Sequence, residues 1–205
     1  MTSIWKRLIF VIIYILVILL FSHIIQAESS YVLFFGNVFW LLIVLTVYLF
    51  FTPKLEDILL YLNRFNSLLD FEFNILKRNI ISTLIYTLMI LCSNTIVILL
   101  KKYDLNLTHL LLNHIQLFLI LYLLSLTYLI DYLKKKEYLY QLIFISYVLI
   151  SFLVYPLLKN IPLLSKFNIA SFNYELSSIF GLITHIIFYV FIFDFLLREK
   201  LNKDI

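Results

Sequence analysis

Long apolar runs separated by short charged links constrain the fold of this chain more than any other feature of its sequence. Hydrophobic residues make up 63% of the 205 residues, charged residues only 14%, and the mean hydropathy is +1.02. In soluble proteins about 25% of residues are charged, so this composition indicates a chain that lies in lipid. A hydrocarbon core about 30 Å thick needs about 20 helical residues for each crossing. The sequence therefore predicts an all-α integral membrane protein, with a single transmembrane domain over residues 1–205.

The apolar runs divide the chain into six predicted transmembrane helices. These spans cover residues 4–25, 31–52, 79–100, 108–132, 138–158 and 175–197. The first span contains Trp5, Lys6 and Arg7, an aromatic anchor beside two positive charges that favours the cytoplasmic side. The same stretch leaves open a signal peptide cleaved at Ala27, but the apolar run continues through Ile25, which favours a retained span.

The distribution of lysine and arginine predicts which ends of the spans face the cytoplasm. With six spans, twelve of the 16 basic residues fall on the side of the two termini and four on the other side. The twelve are Lys6, Arg7, Lys54, Arg64, Lys77, Arg78, Lys134, Lys135, Lys136, Arg198, Lys200 and Lys203, and the four are Lys101, Lys102, Lys159 and Lys166. Because short cytoplasmic loops are rich in positive residues, both termini are predicted to be cytoplasmic. The net charge of +4 is then explained by orientation and contact with anionic lipid, and no nucleic acid partner is expected.

The longest polar interruption lies between the second and third spans, over residues 53–79. Its apolar residues recur at helical spacing, and its charged and polar residues fall mainly on the opposite face. The pattern predicts an amphipathic helix at the cytoplasmic interface, with Pro53 and an acidic pair near its N-terminus. The residues of this segment that we single out are Leu55, Glu56, Asp57, Ile58, Leu62, Arg64, Phe65 and Asp70.

Polar residues inside the spans are candidates for a functional site, because each is costly in lipid and tends to face protein or water. They are His109, Asn113 and Gln116 on the fourth span and Glu175, Ser178 and His185 on the sixth. Each set of three lies on or near one helical face, which is compatible with a polar path through the membrane. Hydrogen bonds between packed helices are the simpler interpretation.

Two aspartates lie near the cytoplasmic ends of predicted spans. Asp131 on the fourth span is close in sequence to Lys134, and Asp194 on the sixth is close to Arg198. Both are predicted to form interfacial ion pairs. A carboxylate that relays protons is expected nearer to the middle of a span, which disfavours a proton-driven carrier.

Other chemistries have weaker support in the sequence. The four histidines show no local spacing typical of a metal site, and two glycines, Gly36 and Gly181, do not form a phosphate-binding loop. No catalytic, cofactor-binding or metal-binding residue is therefore expected in this chain. Cys92 is the one candidate nucleophile, and it leaves open an intramembrane thiol peptidase as an alternative from a different class.

The predicted topology resembles that of a known family. Six spans with both ends inside, a long cytoplasmic segment after the second span and a proline-containing external segment before the sixth are similar to an ABC-2-type permease subunit. The stretch from Tyr155 to Pro162 resembles the family's break after the fifth span. More narrowly, the chain is similar to small glycine-poor permeases found in Gram-positive bacteria beside bacteriocin or lantibiotic export and immunity genes. It departs from the family in its short segment Met1 to Lys6 before the first span and its short loop Leu133 to Glu137.

The resemblance implies a transport function in the bacterial cytoplasmic membrane. An ATPase dimer, which would hold ATP and Mg, would dock on a coupling helix within Leu55 to Asp70. A second permease subunit would complete a homodimer or heterodimer, and the cargo would be a hydrophobic or cationic peptide or a lipid. A further alternative is a non-catalytic immunity or scaffold protein that sequesters a peptide.

Overall fold

The computed structural model describes residues 3–24, 29, 33–35, 38–51, 67–104, 106–134, 138–158 and 176–203. These residues form six helices: α1 (Ser3–Ile24), α2 (Val38–Phe51), α3 (Leu68–Lys101), α4 (Leu107–Leu133), α5 (Leu139–Leu158) and α6 (Leu176–Lys203). Three of the helices, α3, α4 and α6, are long and apolar enough to cross a membrane. The others contain shorter apolar stretches. The described part of the chain is thus all-helical, as predicted, and has the helices of a membrane protein.

Helix α2 begins at Val38, later than the predicted start of the second span at residue 31. Leu33 and the turn at Phe34 and Phe35 precede it, and all three side chains are buried. The rings of Phe34 and Phe35 meet the Trp40 ring edge-on, with centroids 6.1 and 5.2 Å apart.

Helix α3 is continuous from Leu68 to Lys101, so it begins before the predicted start of the third span at residue 79. Ser67 caps its first turn, where the Ser67 hydroxyl accepts the Asp70 N–H at 3.1 Å. At the other end Lys102 adopts the left-handed conformation, with φ 57°, that often terminates helices. The 34 residues extend about 51 Å, against a hydrocarbon core of about 30 Å. The end of the predicted polar segment is therefore an extension of a membrane helix.

A buried aspartate joins α4 to α5. The Asp131 carboxylate accepts the N–H groups of Tyr140 and Gln141 at 2.8 and 2.9 Å, in the first turn of α5. The predicted ion pair of Asp131 with Lys134 is therefore wrong, and Lys134 instead pairs with Glu199 of α6 at 3.8 Å. The physical reason is that the first N–H groups of a helix have no partner within it, and an ionised carboxylate is a strong acceptor for them.

Helix α6 continues to Lys203, beyond the predicted end of the sixth span at residue 197. Asp194 and Arg198, one turn apart, form an ion pair of 2.6 Å between the carboxylate and the guanidinium Nε, which confirms the second predicted pair. Next to this pair, Phe193 and Leu197 are buried against α4. Local charge pairing and tertiary packing therefore both support the extra turns.

Helix α4 is the central helix of the fold. It contacts α3, α5 and α6, while α1 packs on α3 and α2 packs on α5. All residues from Ile120 to Thr127 on α4 are buried. The larger core cluster joins all six helices, and a smaller one joins the first turns of α3 to the C-terminal halves of α4 and α6. The larger cluster encloses a layer of polar side chains, and the smaller one lies beside a charged groove.

Candidate functional site

A chain of buried hydrogen bonds crosses four helices inside the larger core cluster. The indole N–H of Trp40 on α2 donates to the Tyr14 hydroxyl on α1 at 2.7 Å. Tyr14 in turn donates to Oδ1 of Asn94 on α3 at 2.8 Å. Asn94 Nδ2 lies 3.2 Å from Nε2 of His114 on α4. In lipid such bonds stabilise helix packing, and here they specify how α1, α2, α3 and α4 are arranged.

The partners of His114 assign its tautomer. Its Nδ1 lies 2.7 Å from the Leu110 carbonyl oxygen, which can only accept a hydrogen bond. Nδ1 therefore carries the proton, and Nε2 accepts from Asn94 Nδ2. The Phe35 ring meets the imidazole edge-on at 5.4 Å. Both nitrogens of His114 thus have partners, and the residue joins α4 to α3 inside the core.

We expect Tyr14 and Asn94 to be energetically coupled. In a double-mutant cycle of Tyr14→Phe and Asn94→Leu, the free energies of unfolding in detergent should deviate from additivity by about 1 kcal/mol. The matched control combines Tyr14→Phe with Thr87→Val, because the Thr87 hydroxyl donates to the Thr83 carbonyl of its own helix. That pair should be additive. A coupling of zero between Tyr14 and Asn94 would contradict the bond.

The predicted polar face of α4 is divided in the structure. His109 is exposed in the first turn, where its N–H donates to the Asn106 side chain at 3.1 Å. Asn113 and Gln116 are buried, and Asn113 Oδ1 has no hydrogen-bond partner among the described residues. The three residues therefore do not share one environment, although their helical spacing is as predicted.

On α6 the predicted face is only partly described. His185 is half-buried, its Nδ1 lies 2.7 Å from the Gly181 carbonyl oxygen, and its ring stacks on Tyr147 with centroids 6.3 Å apart. Glu175 and the side chain of Ser178 lie outside the described residues. The polar path proposed from the six residues thus stays a prediction.

The predicted coupling segment is also mostly outside the described part of the chain. This holds for seven of its eight residues, Leu55, Glu56, Asp57, Ile58, Leu62, Arg64 and Phe65. The eighth, Asp70, is exposed in the first turn of α3, where its carboxylate accepts the Ser67 hydroxyl at 2.8 Å. Asp70 therefore stabilises the start of α3, next to the helix N-terminus that favours negative charge.

Cys92 is exposed on α3. Within the described residues it makes no hydrogen bond with a histidine, and no three residues among His, Cys, Asp and Glu are grouped so that they could hold a metal ion. The thiol peptidase alternative thus gains no support from the geometry around Cys92.

A groove between the first turns of α3 and the outer face of α6 combines apolar walls with a charged end. Its volume is about 360 Å³. The apolar walls are Leu69 of α3 and Ile186, Ile187, Val190 and Phe191 of α6. The charged end consists of Glu72, Asp194 and Arg198. Asp194 and Arg198 are the ion pair predicted from their spacing, and only the folded chain brings Glu72 to them.

Glu72 is the unusual member of this group. Its side chain is only 8% exposed, and its main electrostatic neighbours are the Asp194 carboxyl and the Arg198 guanidinium. Among the described residues, no basic group lies within ion-pair distance of Glu72, while Arg198 is paired with Asp194. Two acidic groups therefore face each other within hydrogen-bond reach, with one positive charge beside them, an arrangement that favours a shared proton or an additional cation.

Comparison of the chain with models of protein families, with curated proteins and with solved structures finds no match. The sequence and its own geometry are therefore the basis for assigning a function.

Proposed function

We propose that this chain is the membrane-spanning subunit of an ATP-driven exporter in a bacterial cytoplasmic membrane. In this proposal it has six spans with both termini in the cytoplasm, and a separate ATPase dimer holds ATP and Mg. A second permease subunit, identical or related, completes the membrane part. The cargo is a hydrophobic or cationic peptide or a lipid. The twelve-to-four distribution of basic residues supports the orientation.

The observation that carries the proposal is the continuity of α3. It begins at Leu68, within the last residues of the segment predicted to bind the ATPase, and reaches Lys101 without a break. An unbroken helix has no sharp kink at which a displacement of its first turn would be absorbed. The polar segment and a membrane helix are thus connected in the way that an ATPase-driven permease requires.

Packing at the start of α3 extends this connection to α4 and α6. Phe71 and Ile75 are each 1% exposed and belong to the cluster that includes Leu129 of α4 and Phe193 of α6. Glu72 lies between them on the chain and faces Asp194 of α6. Close-packed side chains transmit displacement because they cannot be compressed. A push on residues before Ser67 would therefore shift α4 and α6 together with α3.

The test is retention of the partner ATPase. Changing Glu56, Asp57 and Arg64 together to alanine should abolish co-purification of an ATPase subunit expressed with the chain, because the charged face of the predicted coupling helix is lost. The matched control changes Lys101, Lys102 and Asp104 to alanine, three charges at the opposite end of α3, and should retain the ATPase. Gentle extraction of the unaltered chain without any ATPase would contradict the proposal and favour a protein that sequesters a peptide.

A further inference from the structure

The charged end of the groove has the chemistry to bind a zwitterionic headgroup. Glu72 and Asp194 supply two carboxyl groups that face each other, and an ammonium group can donate hydrogen bonds to both. Arg198 uses its Nε toward Asp194, but its side chain is 49% exposed, and a guanidinium has four further N–H donors. Those donors suit a phosphate, with which arginine forms strong charge-assisted bonds.

The rest of the groove suits an acyl chain. Its apolar walls run from Ile186 to Phe191 along one face of α6, with Leu69 of α3 opposite. Phe191 is 69% exposed and Ile187 53%, so the groove opens sideways toward the surroundings of the bundle. Its charged end includes Arg198, which precedes Glu199 of the Lys134–Glu199 ion pair in the chain, so charged side chains collect at this end of α6. This is the arrangement of a lipid, with its headgroup at the interface and its chain beside apolar helix faces.

We propose that this groove binds a phospholipid with a primary ammonium headgroup, such as a phosphatidylethanolamine. The ammonium lies between Glu72 and Asp194, the phosphate lies against Arg198, and one acyl chain lies along Ile187 and Phe191. A cation beside the two carboxyl groups adds an attractive partner to a site where Arg198 is the neighbouring positive charge and is already paired with Asp194. The site goes beyond the proposed export function and does not depend on a partner ATPase.

The headgroup specificity follows from the donors and acceptors. A phosphatidylglycerol has the phosphate but no ammonium, so it leaves the two carboxyl groups without a cation. A phosphatidylcholine has a positive charge but no N–H donor, so it forms no hydrogen bond to Glu72 or Asp194. Phosphatidylethanolamine should therefore bind more tightly than either of these lipids. The difference in affinity should be larger against phosphatidylglycerol than against phosphatidylcholine.

The experiment is native mass spectrometry of the purified, delipidated full chain in mild detergent, titrated with each of the three lipids. Glu72→Gln should weaken phosphatidylethanolamine binding about tenfold, because it removes a charge-assisted bond. Asp104→Asn, an exposed carboxylate at the opposite end of α3, is the matched control and should leave binding unchanged. Circular dichroism and gel filtration of each variant verify that it is folded.

A second pair of variants tests the apolar wall. Phe191→Ala should weaken binding of the same lipid, whereas Phe195→Ala should not, because Phe195 is equally exposed at 67% on the same helix but does not line the groove. Equal affinities for phosphatidylethanolamine and phosphatidylglycerol would overturn the proposal. So would unaltered phosphatidylethanolamine binding by a folded Glu72→Gln variant.

Discussion

Replacing Asp131 by alanine should lower the free energy of unfolding by about 3 kcal/mol. The carboxylate is 2% exposed and accepts two backbone N–H groups at the start of α5. Hydrogen bonds to a charged group contribute about 1.5–3 kcal/mol each, and their loss leaves two donors without a partner in a place that water reaches poorly. Unfolding by sodium dodecyl sulfate in detergent micelles, followed by circular dichroism, measures the change.

Two variants separate the hydrogen bonds of Asp131 from its other effects. Asp131→Asn keeps one acceptor of similar shape, so it should lose about half as much stability as the alanine variant. Asp104→Ala removes an exposed carboxylate and should change stability by less than about 0.5 kcal/mol. If Asp131→Ala were as mild as Asp104→Ala, the connection between α4 and α5 would not depend on this residue.

Replacing Trp40 by alanine should also lower the free energy of unfolding by about 3 kcal/mol. The side chain is fully buried, its ring contacts Phe34 and Phe35, and its N–H donates to Tyr14. Removing a core tryptophan usually costs about 3–5 kcal/mol. We expect a loss at the lower end of this range, because lipid, unlike water, solvates an apolar ring well. The free energy lost is then mainly that of packing and of one hydrogen bond.

The adjacent residue provides the control for Trp40. Phe39 is 63% exposed, so Phe39→Ala should cost less than about 1 kcal/mol. Trp40→Phe keeps one aromatic ring but removes the N–H and part of the indole volume, so it should cost about 1–2 kcal/mol, less than the alanine variant. Thermal unfolding of the three variants in one detergent ranks them. Equal losses for Trp40→Ala and Phe39→Ala would show that the turn before α2 does not anchor the core.

The polar layer and the charged groove have different consequences for the molecule. The layer built on Tyr14, Asn94 and His114 has its donors and acceptors matched to one another, which stabilises one arrangement of helices. The group built on Glu72, Asp194 and Arg198 has an excess of acidic groups beside an open apolar surface. For this reason the groove, and not the buried layer, is the better candidate for binding a ligand.

The polar residues selected on α4 from the sequence differ in their burial and in their partners. Asn113 and Gln116 are both buried, whereas His109, which shares their helical spacing, is exposed. His114 lies one position from Asn113 and off the chosen face, yet it is the residue that bonds to α3. Asn94 is the one asparagine in the apolar run 80–100. Because a lone amide in such a run needs a hydrogen-bond partner, the sequence indicates that Asn94 faces another helix.

Local sequence determines the helical class, the apolar lengths and several helix ends of this protein. The length of each apolar run determines whether the segment can cross a membrane. The hydrogen bond between Ser67 and Asp70 marks the start of α3, and the four-residue spacing of Asp194 and Arg198 allows their ion pair. These features depend on neighbours along the chain. The partners of Asn94, Asp131 and Glu72 depend instead on which helices lie side by side. Helices that are apolar on all sides carry no stripe that selects a neighbour, so only packing in three dimensions brings these groups together.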